Sequence, residues 1–405
     1  MPARTTRTPP RPVPSVRDRA ERAASVVTPL AWALLAGGVA SLLVGRRLGW
    51  RELTVAGATA LVVLAAGAAF TIGRTRLRVA VDVRPARVQA GGRAAAAVTA
   101  TAAGSRRTLG HAMELTVGEG VAEFGVPSLR PGESHEEVFI LPTRRRAIIP
   151  VGPATSVRGD PLGLLRRERA WTEVQPLYVH PRTVRLAELG TGFIRDLEGQ
   201  PTRDVAPADV AFHTMREYEP GDDRRFVHWL TTARTGTLMV RQFVDTRRTH
   251  LAVVVDAASG AYRDEDEFET AVSAAASIGR RTLADEQDLS AVVGTDRLPS
   301  TTPNPFLDAL SGVELGPEER CRLGAGVDHL LRSVSGLSVG VLVSGSQATV
   351  TDLRAAAVRL PTDVRVVIVR VDHTAPTGFM PLGDHVLATL RALDDLPHLM
   401  WTIAS

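Results

Sequence analysis

The sequence predicts a multidomain chain: a transmembrane helical hairpin, a small antiparallel β-sandwich, then an α/β doubly wound domain. Three observations carry that prediction. Two long uncharged apolar runs stand close together near the N-terminus, short alternating strands follow them, and β-branched runs alternate with helical stretches toward the C-terminus. At 405 residues the chain is long enough for two or three domains with sizeable cores.

Residues 1–22 read as a disordered tail rich in Arg and Pro. Between Arg22 and Arg46, and again between Glu52 and Arg74, no charge occurs. The first run carries Val26, Leu30, Trp32, Leu35 and Leu43, the second Val55, Leu61, Val63, Leu64 and Phe70. Each exceeds the roughly 18–20 residues that a helix needs to cross a hydrocarbon core. A cleaved signal peptide is shorter and has no second run of equal length right behind it. The expected hairpin spans 23–75, with membrane segments at 26–45 and 53–73. Arg4, Arg7, Arg11, Arg17, Arg19 and Arg22 precede it and Arg74, Arg76, Arg78, Arg84 and Arg87 follow, against Arg46, Arg47 and Arg51 in the turn. That asymmetry places both flanks, and the main domains, on the cytoplasmic side of a plasma or inner membrane.

Leu77, Val79, Val81 and Val83 alternate with Arg78, Ala80, Asp82 and Arg84, the period of a half-buried strand. Gly91-Gly92 ends it, residues 94–101 resume it, and Pro131-Gly132-Glu133 turns into another strand at Val138–Leu141. A β-sandwich over 76–185 is expected.

From 249 to 405 the pattern changes. The run His250–Val255 ends in Asp256 and reads as a buried parallel strand. A helix with Phe268, Val272, Ala275, Ile278 and Leu283 on one face follows, with the acids at 264–267 at its positive end. Leu289–Val293, Val339–Val343 and Val364–Val371 read as further strands, with helical stretches around 317–335 and 350–360. Such alternation makes an open, mostly parallel sheet, whose ligands sit at the carboxyl ends of its strands.

Every basic residue is arginine, and the formal charge is only +4 with acids interspersed, so no nucleic-acid footprint stands out. Few aromatic residues are present to stack bases. The one cysteine, Cys321, allows neither an internal disulfide nor a thiol metal cluster.

The densest concentration of chemistry runs from Met215 to Phe243. It reads Arg216-Glu217-Tyr218-Glu219-Pro220-Gly221-Asp222-Asp223-Arg224-Arg225-Phe226-Val227-His228-Trp229, then Thr232-Ala233-Arg234-Thr235-Gly236, then Val240-Arg241-Gln242-Phe243. This block resembles the signature of DUF58, a family of uncharacterised bacterial membrane proteins, roughly REYxPGDDxRxIHWxxTARxGxLxVRxF. It departs from that form by Val227 for Ile. The stretch from Arg144-Arg145-Arg146 through Gly152-Pro153 to Asp160-Pro161-Leu162-Gly163-Leu164 also looks like the family. The resemblance implies a von Willebrand A-like domain at 249–405, a signature connection at 186–248, and a partner ATPase of the MoxR type of AAA+ protein.

Von Willebrand A domains hold a metal with Asp-x-Ser-x-Ser at the first strand end and an acid from a later loop. Here the matching residues are Asp256, Ala258 and Gly260, with Ser259 displaced and Ser344-Gly345 at the later position. A divalent cation needs about six oxygens, so a degenerate, metal-free site with no cofactor is expected. For the signature block, one reading makes Glu217, Glu219, Asp222 and Asp223 carboxylates of a hydrolase, with His228 as acid–base and Arg216, Arg224 or Arg234 as anion binders. The other makes an ordered connection: Arg216 and Arg241 pair with Glu217 or Asp222, Gly221 permits the turn after Pro220, Asp222 or Asp223 caps a helix near Arg224, and Trp229 fills an interdomain pocket. Without a Gly-rich phosphate loop or an HExxH, the second reading is preferred. The expected function is a non-enzymatic, membrane-anchored adaptor that works with the ATPase in maturing or remodelling a protein complex, with the hydrolase as the alternative.

Overall fold

The computed structural model describes residues 28–71, 76–159, 162–187, 210–219, 226–245 and 249–404. The chain forms two compact units. The first runs to Arg144 and resumes at Ile148–Tyr178; the second comprises Arg145–Ala147 and everything from Val179 onward.

Two helices, α1 (Pro29–Leu48) and α2 (Arg51–Thr71), open the first unit. The Thr28 side chain caps α1 by accepting from the Ala31 N–H, and Pro29 sits in the first turn, where no N–H is needed. Gly49, left-handed at φ 73°, closes it. The helices touch through small residues: a Cβ on Gly57 would lie 2.6 Å from the Gly38 carbonyl oxygen and 2.8 Å from Leu42 N. Leu30, Trp32, Val39, Leu43, Val55 and Val62 point away from this seam and are exposed. Both helices are long and apolar enough to cross a membrane.

Nine strands follow in two sheets: β1 (Leu77–Arg84), β2 (Arg87–Gln89), β3 (Ala95–Ala102), β4 (His111–Val117), β5 (Gly120–Val126), β6 (Ser134–Ile140), β7 (Ala147–Gly159), β8 (Arg166–Ala170) and β9 (Gln175–His180). One sheet has the order β1-β3-β6, with antiparallel pairs. The other has the order β2-β9-β7-β4-β5, with β8 alongside β7. Alternation does the work read from the sequence. Ala96, Val98, Ala100 and Ala102 are buried while their neighbours are half-exposed, and Phe124 of β5 meets Phe139 of β6 edge to face at 5.3 Å.

The second unit starts with an antiparallel pair, β10 (Val210–Glu217) and β11 (Met239–Asp245), with the short helix α3 (Trp229–Thr235) between them. Then comes a seven-stranded sheet built from β12 (His250–Val255), β13 (Asp288–Val293), β14 (Asp296–Leu298), β15 (Val339–Ser344), β16 (Arg365–Val371), β17 (Gly378–Leu382) and β18 (His385–Leu390). The order is β14-β13-β12-β15-β16-β18-β17, parallel except for the two edge strands. Continuous β-branched strands need both faces covered. On one face α4 (Glu265–Ala284), α5 (Pro303–Ser311) and α9 (Leu396–Ala404) bury Val253, Val255, Val341 and Val369. On the other, α7 (Leu323–Leu331) and α8 (Val350–Ala357) bury Val254, Leu342 and Ile368.

One expectation needs correction. The helical stretch expected over 317–335 is two helices, α6 (Glu318–Cys321) and α7, broken at Arg322, which is extended at φ −60°, ψ 145°. The break has a physical cause: Gly316 N–H donates to the Ala257 carbonyl at 2.8 Å and the Cys321 carbonyl accepts from Ala257 N–H at 3.0 Å, tying this segment to the end of β12. The acids at 264–267 stand at the positive end of α4 as expected, with Glu265, Asp266 and Glu267 in its first turn. Asp264 caps the helix, but Glu267 is fully buried, and its Oε2 accepts from Arg263 N–H at 2.9 Å and from the Ser346 hydroxyl at 2.8 Å. The elements β14, α5, β17, β18 and α9 carry no expectation from sequence at all.

Arg146 is an internal cation of the second unit. Its side chain is 5% exposed, pairs with Glu269 at 3.0 Å, donates to the carbonyls of Leu310 at 3.1 Å and Val313, and lies over the Phe268 ring at 5.2 Å.

Candidate functional site

The order β13-β12-β15 makes a topological switch point, because the chain leaves β12 in one direction and returns to its other side with β15. Asp256 follows β12 and Ser344 ends β15. The Ser344 hydroxyl donates to Asp256 Oδ2 at 2.8 Å, across the place where such sheets bind ligands. Asp256 Oδ1 accepts from Ala258 N–H at 3.1 Å, and the carboxylate also accepts from the backbone N–H of Leu323, at the start of α7. The Asp256 carbonyl accepts from the Tyr262 hydroxyl at 2.6 Å. Burial pushes the Asp256 carboxyl above its ordinary range, against the lowering pull of these hydrogen bonds. Burial, with Asp256 and Glu267 nearby, raises the Tyr262 phenol well above its usual value.

Of the two glycines of this region, Gly345 is forced by backbone, whereas the obstacle at Gly260 is the movable end of a side chain. A Cβ on Gly260 would collide with Glu318 Oε1, and one on Gly345 with the Ala261 carbonyl and the Tyr262 ring. The space of a serine side chain at 260 is therefore filled by a carboxylate from α6. Arg322 donates to Glu318 Oε2 at 2.9 Å, and its guanidinium lies in the field of Asp352 and Asp256 as well. No local sequence pattern marks Glu318 or Arg322, since they reach the site from a connection some sixty residues beyond Asp256.

These residues do not fit a divalent cation. Asp256 and Ser344 spend their oxygens on each other, Ala258 and Gly260 offer no side-chain oxygen, and Ser259 is exposed, its backbone N–H donating to the Gly316 carbonyl at 3.1 Å. Above this floor lies a cleft of about 420 Å³ between the strand-end loop, α6–α7 and α8.

Of the signature block, Pro220, Gly221, Asp222, Asp223 and Arg224 lie outside the described residues. Glu217 ends β10 and is exposed, as is Glu219; Tyr218 N–H donates to the Leu238 carbonyl at 2.8 Å. Arg216 Nη1 donates to the Glu217 carbonyl at 3.0 Å. Arg241 stands in β11 opposite Met215. His228 caps α3: its Nδ1 accepts from Thr231 N–H at 3.2 Å and meets the Thr231 hydroxyl at 2.7 Å. The helix expected to begin near Arg224, with Asp222 or Asp223 as its cap, lies outside the described residues. Arg234 is exposed in the last turn, and Gly236, left-handed at φ 75°, closes the helix. Trp229 is 66% exposed, as is Leu230.

The fold and site define a class: a doubly wound α/β domain with a buried strand-end carboxylate, carried behind a pair of apolar helices and two β-sheets. Residues 214–387 match the model of the family described as "Protein of unknown function DUF58". No curated protein matches the chain. Among solved structures it is similar to a CARDB domain from Pyrococcus furiosus in complex with di-metal ions, at 16% identity over 26% of this chain and 91% of that one, TM-score 0.20. It is also similar to a von Willebrand factor type A protein from Catenulispora acidiphila, at 10% identity over 41% and 43%, TM-score 0.26. The sporulation control protein Spo0M of Bacillus subtilis gives 13% identity over 43% and 69%, TM-score 0.16. At such TM-scores these likenesses carry no argument.

Proposed function

We propose that this protein is a membrane-anchored, non-enzymatic interaction protein: an adaptor whose second unit docks a protein partner. The observation that carries the reading is the exposed apolar surface of the signature block. Trp229 and Leu230 are 66% exposed, with Phe226 and Leu238 exposed beside them. Large apolar side chains grouped on a surface mark interaction sites, and Trp with Arg is the composition of binding hot spots. The membrane role rests on α1 and α2, which are long and apolar enough to cross a membrane; we read them as a transmembrane hairpin that leaves the main domains on the cytoplasmic side. The partner we propose, from the DUF58 resemblance, is a MoxR-type AAA+ ATPase acting on a complex that it matures or remodels. Supporting this, the chain has no Gly-rich phosphate loop, so ATP-driven work has to come from another protein.

The test is photo-cross-linking in the native host, with the cross-linker at Leu230, followed by mass spectrometry of the membrane fraction. The adduct is expected to contain an AAA+ protein. Recovery of none, while other membrane complexes survive the same handling, sinks the adaptor reading.

A further inference from the structure

The strand registers of the first unit gather several of its connections at one end of the two sheets. In the first sheet Leu77, which opens β1, pairs with Ala102, which ends β3, and Thr101 pairs with Ser134, which opens β6. In the second, His111 at the start of β4 pairs with Val126 at the end of β5, and Ala112 pairs with Val157 near the end of β7. Gly159, which ends β7, pairs with Arg166, which opens β8. Two connections, 103–110 and 127–133, join the sheets at this end and are tied to each other. Thr108 N–H donates to the Leu129 carbonyl at 2.9 Å, and Leu129 N–H donates to the Thr108 hydroxyl oxygen at 3.2 Å. The turn between β7 and β8, described from 162 to 165, leaves from the same end of the second sheet. Both apolar helices are fastened here as well. The Leu164 carbonyl accepts from the Thr28 N–H at 3.0 Å and from its hydroxyl at 2.8 Å, and Thr28 is the cap of α1. Ala103 N–H donates to the Arg76 carbonyl at 2.8 Å, and Arg76 stands five residues beyond the end of α2, within roughly 18 Å of extended chain.

Leu109 is 79% exposed and Leu162 61% exposed, each at this end. Arg106, Arg107 and Arg130 are exposed beside them, and Glu133 is the one carboxylate among the described residues of these connections. A single exposed leucine on a soluble domain calls for no explanation. Two of them, with arginines, at the end to which two membrane-length helices are bonded have a nearby apolar phase to enter. We propose that this end of the first unit lies on the bilayer that α1 and α2 enter, with Leu109 and Leu162 dipped into the headgroup region and Arg106, Arg107 and Arg130 against the phosphates of anionic lipids. The inference rests on the reading of α1 and α2 as a transmembrane hairpin and goes beyond it: the sheets are seated on the membrane rather than hanging from it by a tether. Leucine inserts by losing its contact with water, and each arginine near an anionic leaflet adds an attraction that fades within a Debye length, so only residues this close to the helix ends gain from it.

The test uses the full chain with Cys321→Ser, in nanodiscs of phosphatidylglycerol or of phosphatidylcholine that carry a doxyl-lipid quencher. An environment-sensitive fluorophore is attached through Leu109→Cys or Leu162→Cys, both at exposed positions. Val121→Cys, 55% exposed at the opposite end of β5, is the water-facing control, and Val39→Cys in α1 is the membrane control. Labels at 109 and 162 are expected to be quenched well above the label at 121, and more strongly in phosphatidylglycerol. Arg106→Gln/Arg107→Gln should cut the quenching at 109 by about half or more in phosphatidylglycerol. Quenching at 109 and 162 no greater than at 121 overturns the proposal and leaves this surface to a protein. Quenching that is equal in the two lipids and unmoved by the arginine change overturns it too. The hairpin reading fails separately. A quenched label at 39 with unquenched labels at 109 and 162 keeps the hairpin and removes the seated sheets, whereas an unquenched label at 39 removes both.

Discussion

The Ser344 hydroxyl reaches 2.8 Å to Asp256 Oδ2, joining the ends of the two central strands, β12 and β15, where the chain reverses direction across the sheet. Both residues are buried, so neither has water as a second choice. Ser344→Ala strands one carboxylate oxygen in the interior, and a loss of about 1–3 kcal/mol is expected from an unsatisfied buried acceptor. Urea denaturation of the protein in detergent measures it. A loss below a few tenths of a kcal/mol would show that the pair is water-bridged in solution.

The same carboxylate gives a pH dependence with a definite sign. Burial raises the Asp256 carboxyl, so the folded chain binds its proton more tightly than the unfolded chain does. Its contribution to stability therefore falls as pH rises from the ordinary carboxylate value of about 3.9 up through the raised folded value, and is flat above that. Asp256→Asn keeps an acceptor for Ala258 and Leu323 and offers its amide to Ser344, but does not titrate. The stability of the native chain minus that of the variant should decline with rising pH in that window. A difference that grows instead would mean that the hydrogen bonds outweigh burial.

How much of this was legible depends on how local each cause is. The run at 250–255 and its terminal Asp256 could be placed because burial on both sides of a parallel strand leaves a continuous β-branched signature. The strand at 339–344 was equally plain, and with it the position of Ser344. Glu318 and Arg322 were not, because their roles arise from a backbone break imposed by hydrogen bonds to Ala257, a contact between segments far apart in sequence. Trp229 shows the converse: a large ring in a dense motif reads as buried, yet it is 66% exposed. The Arg145–Ala147 segment belongs to the second unit, and nothing in its composition separates it from the sandwich sequence around it.

Arg146 is expected to be the costliest single truncation of a charged residue in the second unit. Arg146→Ala leaves Glu269, already raised by burial, without its partner and frees two carbonyls at the end of α5. About 3–5 kcal/mol is the usual loss when one member of a buried pair is removed. Arg146→Lys should recover little, because an ammonium cannot span Glu269, Leu310 and Val313 at once. Full stability of the lysine variant would count against the forked geometry.

Trp229→Ala separates stability from docking. An exposed ring on α3 contributes little to folding, so the midpoint should move by no more than about 0.5 kcal/mol. Recovery of a partner in cells should fall sharply, because Trp is the residue type whose truncation costs most at interfaces. An unfolding midpoint lowered by several kcal/mol would restore the buried reading of this residue and remove the exposed patch as a docking surface.

The helical pair offers a last separation, between insertion and packing. Composition alone sets whether α1 and α2 enter a bilayer, while their contact depends on small residues at the seam. A side chain on Gly57 would press on backbone atoms of Gly38 and Leu42, which cannot rotate away. Gly57→Ile adds apolar surface, so the variant should still sediment with membranes as the native chain does. The helices, however, should splay. Single cysteines placed at Val39 and Val62 should give spin-label distances that broaden and lengthen in the Gly57→Ile background, in a chain whose Cys321 has been changed to Ser. The same substitution at Gly37, where an added Cβ meets nothing within 4 Å, is the control and should leave the distances alone. If Gly57→Ile and Gly37→Ile behave alike, the close seam between α1 and α2 does not exist in the bilayer. If the Gly57 variant leaves the membrane fraction, insertion depends on packing, and the two apolar runs are not independent spans.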